Sequence, residues 1–221
     1  MPRCLVFDLD GTLVDSVPDI AACLNRLLVS RGHIELSVAA VAAMVGDGVH
    51  VLLQRGFAAH GTAPDAQAAA DFAADYAAHV ADATVPYPGI AAMLQDAHAA
   101  GWRMAVCTNK PVALAHAVLQ ATGLDGFFDA VGGSDSFPVR KPDPAHMLAT
   151  LAAAGADPAH AVMLGDHRND VLAASGAGMP CIFAAWGYSP LSAAAGAAAV
   201  AQTAGEVLAL ADALLPRHSP P

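Results

Sequence analysis

Two aspartates separated by one leucine, Asp8 and Asp10, close a short apolar run and are followed by Gly11-Thr12-Leu13-Val14-Asp15-Ser16. At i and i+2 of an extended segment, two carboxylates can approach one site. Alone, an Asp-x-Asp pair also describes a solvated strand end. The Gly-Thr that follows adds a turn whose backbone N–H groups come near an anion. A second cluster, Thr108-Asn109-Lys110, ends the apolar pair Val106-Cys107. Thr108 offers a hydroxyl and neighbouring amides to phosphate oxygens, although Thr-Asn after a strand is also a common helix cap. Third, Arg140-Lys141-Pro142-Asp143-Pro144 holds Lys141 at a stiffened turn, because proline fixes φ and opens helices. A lone lysine is otherwise a solvated side chain. The fourth cluster, Gly165-Asp166-His167-Arg168-Asn169-Asp170, sets two aspartates four apart at a strand-to-helix junction, where one helical turn directs both at one metal site. All-oxygen ligands favour magnesium, which keeps several waters and takes one or two carboxylates plus a substrate phosphate. Helix capping by Asp166 alone leaves Asp170 without a role.

These clusters need elements to hold them. Residues 3–7 are too short for a core helix and read as a buried strand, as do residues 103–107, 130–133, 161–164 and 181–184. Helical patterns separate most of these strands, so the expected core is α/β with a parallel sheet. Ligands then belong at the carboxyl ends of its strands. Between Asp15 and about Pro86 the pattern is helical, with no credible strand. Ile20, Leu24, Leu27 and Leu28 recur at helical spacing over residues 17–31, and Gly32 supplies the stop. Further helices are expected over residues 36–45, 48–60 and 65–83. Pro86, Pro88 and Gly89 end the block. The expected division is a core of residues 1–15 and 87–221 with an inserted helical cap of residues 16–86. The alanine-rich stretch 193–204 is expected to be packed helix or loop.

The chain has 221 residues, enough to bury a large core. Hydrophobic residues reach 56% and mean hydropathy is +0.46, yet no uninterrupted apolar run approaches the ~18–20 residues of a membrane span. Residues 1–10 are too short for a signal sequence and end in aspartates, so a soluble cytoplasmic protein is expected. Cys4, Cys23, Cys107 and Cys181 show neither disulfide nor zinc spacing. A net charge of −10 opposes a nucleic-acid partner, whereas a small anionic substrate can bind where a metal and a few cations reverse the field locally. Monomer and homodimer both remain open.

Taken in order, the four clusters resemble the motifs of the haloacid dehalogenase superfamily, and the likeness covers essentially the whole chain. The resemblance implies a Rossmann-like core with an inserted cap, and a magnesium-dependent phosphatase. It assigns nucleophilic attack on phosphorus to Asp8. Asp10 then protonates the leaving oxygen and activates water. The implied magnesium ligands are Asp8, the backbone carbonyl of Asp10, and Asp166, with Asp170 supporting the site. Thr108 and Lys141, with Asn109 beside them, hold the phosphoryl oxygens. Dehalogenases lack the second aspartate and phosphonate-cleaving members carry alanine there, so Asp10 favours phosphate esters. His167 departs from the pattern, since close relatives commonly have serine, and it is expected in an exposed loop.

For the substrate, Val45-Gly46-Asp47-Gly48-Val49, with Leu52, Leu53 and Arg55, is similar to the cap segment of phosphoglycolate phosphatases. Lys141-Pro142-Asp143-Pro144 and Trp186-Gly187-Tyr188 are similar to other segments of those enzymes. Amides at the helix start after Gly48 can receive a carboxylate, with His50 and Arg55 as cationic supplements. Gly46 and Gly48 can equally just separate two helices. The expected substrate is 2-phosphoglycolate. The alternatives are a sugar phosphate, a nucleotide or pyrophosphate, a sugar phosphomutase reaction, and a non-catalytic binding protein.

Overall fold

The computed structural model describes residues 2–215. Strand β1 (Cys4–Phe7) lies at the centre of a six-stranded parallel sheet. It is flanked by β4 (Arg103–Cys107) and β5 (Ala130–Gly132) on one side, and by β6 (Ala161–Gly165), β7 (Cys181–Ala184) and β8 (Ala199–Ala201) on the other. Register aligns Phe7 with Val106 and with Leu164, so three strands end level. The chain builds outward first to one side of β1 and then to the other, which opens a crevice at the carboxyl end of β1.

Side-chain alternation divides the sheet residues between two apolar layers. Leu5, Phe7, Met104, Val106 and Leu164 point to one face, under α5 (Ile90–Ala99), α6 (Val112–Ala121) and α9 (Val207–Leu214). Cys4, Val6, Cys107, Met163 and Phe183 point to the other, under α7 (Pro144–Ala153) and α8 (Arg168–Gly176). All four cysteines are free and buried.

Between β1 and β4 come α1 (Val17–Ser30), α2 (Val38–Ala42), α3 (Val49–Ala58) and α4 (Ala68–Ala78), which bury an apolar cluster of their own. Leu24, Leu28, Leu53, Phe57, Phe72 and Tyr76 fill it, joined from the core side by Leu114 of α6. The two chain crossings lie side by side, as β2 (Val14–Asp15) pairs antiparallel with β3 (Val85–Pro86). Asp19 pins them, accepting hydrogen bonds from the Ala83 and Thr84 amides and from the Thr84 hydroxyl.

Three expectations need correction. The stretch 193–204 carries β8, whose Ala199 aligns with Ile182; a single valine between two alanines on an edge strand presents too little β-branched pattern to read. The helical block is bounded by the β2–β3 ribbon, too short to register as strands. The helices expected over 36–45 and 65–83 contract to Val38–Ala42 and Ala68–Ala78, because flanking apolar residues pack without continuing the helical ladder. Among the described residues no helix is long and apolar enough to cross a membrane.

Candidate active site

Asp8 leaves the end of β1 and is only 7% exposed. Its Oδ1 accepts from the Leu9 amide at 2.7 Å and lies 3.0 Å from Lys141 Nζ. Asp166, just beyond β6, is oriented by the Thr12 hydroxyl at 2.9 Å and the Tyr188 amide at 2.8 Å. Asp170 is fully buried in the first turn of α8. One of its oxygens takes Lys141 Nζ at 2.6 Å and the other takes the His167 amide at 2.9 Å. Carboxylate oxygens of Asp8, Asp166 and Asp170 lie within 4.8 Å of one another.

Glycines permit this crowding. Gly11, at φ +85°, would set a β-carbon 2.5 Å from Asp166 Oδ2, and β-carbons at Gly165 and Gly187 would collide with Asp170 and Asp166. Burial pushes the Asp8 carboxyl up to about 6 against the pull of Lys141. Burial, and then the charges of Asp8 and Asp170, push Asp166 up to about 8. Although burial works the other way, Asp170 and Asp8 hold the Lys141 ammonium above the ordinary lysine range. Three carboxylates against one ammonium leave an excess of two negative charges when all are ionised. A buried, all-oxygen donor set with that deficit fits a hard divalent cation such as magnesium.

Asp10 stands apart from this cluster. Its carboxylate accepts the Ser16 hydroxyl at 2.6 Å and takes Lys110 Nζ at 2.9 Å on both oxygens. Its side chain is therefore directed at a cleft of about 540 Å³, counting the part open to solvent, rather than at the other aspartates. Asp8, Asp10, Gly46, Gly48, Thr108 and Asn109 line this cleft together with an apolar wall from the helical block. Thr108 does not cap α6, which starts after Pro111; its hydroxyl accepts the Lys110 amide in a local turn. Asn109 Nδ2 donates at 3.0 Å to Gly46 and Lys141 carbonyls, tying the helical block to the core.

Two cationic candidates lie elsewhere. Arg55 turns to Asp47 at 2.6 Å and to the Met44 carbonyl, so it braces the loop instead of lining the cleft. His50 is exposed and borders a separate depression with Leu53, Gln54 and Pro64. On α3, His50 points away from the stripe formed by Val49 and Leu52, which faces the cleft, whereas Arg55, one turn beyond Leu52, is drawn aside by the Asp47 carboxylate. His167 is also not an exposed loop residue. Its ring is half-buried, caps α8 by accepting the Asn169 amide, and lies against Gly46, where a β-carbon would be 2.5 Å from His167 Cδ2. Helix capping thus falls to His167, not Asp166.

Sequence reasoning missed Lys110, Tyr76 and Asn169. Lys110 follows Thr108-Asn109 directly, and that position was a usable signal. Tyr76 lies in an alanine-rich helix with no motif around it. Asn169 was hidden inside the aspartate cluster, and its contact with Asp47 joins residues 122 apart.

A parallel sheet with an acidic triad at its switch point, a lysine across two of those carboxylates and a fourth carboxylate facing the cleft define the class. The chain belongs to the haloacid dehalogenase-like hydrolase family, whose pattern matches residues 2–178. It is 44% identical over 189 residues to the phosphoglycolate phosphatase of Caulobacter vibrioides, covering 84% of this chain and 80% of that one. With the phosphoglycolate phosphatase of Rhodospirillum rubrum it shares 42% identity over 199 residues, covering 86% and 82%. Among solved structures it resembles a protein of Haemophilus somnus described as a predicted phosphoglycolate phosphatase, with TM-score 0.86, 28% identity and coverage of 95% and 97%. It also resembles CbbY from Rhodobacter sphaeroides in complex with phosphate, with TM-score 0.80, 25% identity and coverage of 94% and 96%.

Proposed function

We propose that this chain is a magnesium-dependent phosphatase that hydrolyses 2-phosphoglycolate to glycolate and phosphate through a phosphorylated Asp8. The observation that carries the reading is the pair Asp8 and Asp10: one carboxylate sits in the acidic cluster under Lys141, the other faces the same cleft outside it. That division suits two different roles, nucleophile and proton carrier.

In the first half-reaction an Asp8 oxygen forms a bond to phosphorus as the ester P–O bond breaks, and Asp10 gives a proton to the departing glycolate oxygen. In the second, Asp10 takes a proton from water, the water oxygen bonds to phosphorus, and the Asp8–phosphorus bond breaks. Lys141 and the Thr108 hydroxyl hold the phosphoryl oxygens, so charge develops against fixed donors. Asp8 and Asp166, with the Asp10 carbonyl and Asp170 in support, would hold magnesium, which when bound neutralises the repulsion between carboxylate and phosphate. Residues 16–86 act as a cap that closes the cleft against water, with Asn109 and Gly46 meeting at the seam.

The substrate rests on relatives named phosphoglycolate phosphatase and on the small cleft, which suits an ester of a few carbons. CbbY, a structural relative, was solved with phosphate, which supports phosphate as the common moiety. Four free buried thiols suit the reducing cytoplasm. The test is phosphate release from 2-phosphoglycolate and about twenty other phosphate metabolites, with magnesium and with chelator. Turnover is expected to be fastest on 2-phosphoglycolate and to vanish with chelator. Faster release from sugar phosphates or nucleotides overturns the substrate, and isomerised glucose phosphate without free phosphate overturns the reaction.

A further inference from the structure

We propose that Tyr76 and Lys110 form the subsite that takes the carboxylate of the leaving group, on the cap-facing wall of the cleft and apart from the phosphate site at Asp8. This rests on the phosphatase reading above and names the residues that would give it its substrate.

Tyr76 belongs to α4, is 1% exposed and lines the cleft with Asp10 and Lys110. Lys110 is the one polar group within reach of the Tyr76 hydroxyl among the described residues, and an ammonium only donates, so the buried O–H proton has no acceptor. Buried donors are nearly always matched, so an O–H without an acceptor beside a substrate cleft points to an acceptor brought by the substrate. Burial pushes the Tyr76 phenol up, so it remains a donor. Lys110 Nζ lies 4.6 Å from the Tyr76 ring centroid and 2.9 Å from both Asp10 oxygens. An ammonium has three N–H donors and Asp10 engages two. The Tyr76 O–H therefore remains an unmatched donor beside the Lys110 ammonium.

A carboxylate, which only accepts, satisfies both. The rest of the wall is apolar, with Ile20, Val49, Leu52, Phe72 and Leu114. Such a surface disfavours a sugar, whose hydroxyls would be left unpaired. Reach follows from Lys110, which joins Asp10 to this donor pair. The Asp10 carboxyl must touch the ester oxygen, so the second anion has to lie within about two bonds of that oxygen. A short α-hydroxy acid meets the requirement and a long chain does not. Arg55 and His50, the cations the sequence suggests for this task, face elsewhere.

The test compares 2-phosphoglycolate with ethyl phosphate, which replaces the carboxylate by a methyl group, in wild type and Tyr76→Phe. The ratio of the two kcat/KM values should fall about tenfold in the variant, through KM for 2-phosphoglycolate, because one hydrogen bond to a charged group is lost. Calorimetric binding of 2-phosphoglycolate to Asp8→Asn should weaken by a similar factor when Tyr76→Phe is added. A wild type that prefers 2-phosphoglycolate, with a variant that keeps the preference, overturns the subsite alone. A wild type without that preference overturns the substrate reading and the subsite together.

Discussion

Asn169, in the first turn of α8, donates from Nδ2 to Asp47 Oδ1 at 2.7 Å, so a core helix grips the loop between α2 and α3. Arg55 pairs with the other Asp47 oxygen at 2.6 Å. Burial works in the opposite direction, but the Asn169 amide and the Arg55 guanidinium hold the Asp47 carboxyl below its usual range. The clasp is therefore ionised at any ordinary working pH, and it is lost only when acid protonates Asp47. Asp47→Ala should loosen cap closure and raise KM about tenfold with a smaller change in kcat, as expected for one charged hydrogen bond lost at ~1.5 kcal/mol. Steady-state kinetics check this; an unchanged KM would show that the clasp does not hold the closed form.

Asp8→Asn removes the proposed nucleophile while keeping the shape of the side chain. Turnover should drop by roughly 10⁴-fold or more. Asp10→Asn leaves Asp8 in place and should permit at most slow phosphorylation of the protein, with turnover down on the order of 10²–10⁴-fold. Acid quenching and mass measurement on Asp8 distinguish the two variants. Wild-type turnover in either one contradicts the assigned roles.

The acidic cluster sets a pH dependence of opposite sign to ordinary acid denaturation. Asp8 and Asp166 are raised to about 6 and about 8, so the folded metal-free protein binds more protons there than the unfolded chain. Their contribution to stability is fully present below the unfolded carboxyl value, near pH 4, and is lost as pH rises through 6 and 8. Chelator-treated protein should therefore melt lower at pH 8.5 than at pH 6 by this contribution. Magnesium at 100 times its dissociation constant should restore about 2.7 kcal/mol, or roughly 5–10 °C. Binding should also release protons, and so strengthen as pH rises. Thermal melts with and without magnesium at both pH values test this; a magnesium increment larger at pH 6 contradicts it.

Asp19 offers a test of the paired chain crossings at β2 and β3. Its carboxylate accepts the Thr84 hydroxyl at 2.6 Å, the Thr84 amide at 2.8 Å and the Ala83 amide at 3.0 Å, and it is 4% exposed. Asp19→Ala strands all three donors and should lower stability by about 2–4 kcal/mol. Urea unfolding measures it, and a loss under about 1 kcal/mol would mean that other contacts hold the ribbon.

The linear chain already displayed most of the chemistry. Asp8, Thr108 and Asp166 each follow a strand, Asp170 opens a helix and Lys141 sits in a proline turn just before one, and strands of four or five buried residues are legible because apolar runs so short have few other uses. Strand β8 was not legible, because alanine carries little strand preference and an edge position demands little of it. His167 looked like a surface residue because its partner, Gly46, is 121 positions away.

The sequence alone determined the parallel core, the helical insertion and the order of the acidic and lysine-bearing clusters, since periodicity and strand-end motifs are local properties. Only the tertiary structure decided which cations face the cleft. It turned Arg55 to Asp47, set Lys110 on Asp10 and brought Tyr76 over Lys110. The physical reason is that the direction of a side chain depends on how separate elements pack, and the packing of α3 and α4 over the core is set by contacts between residues distant in the chain.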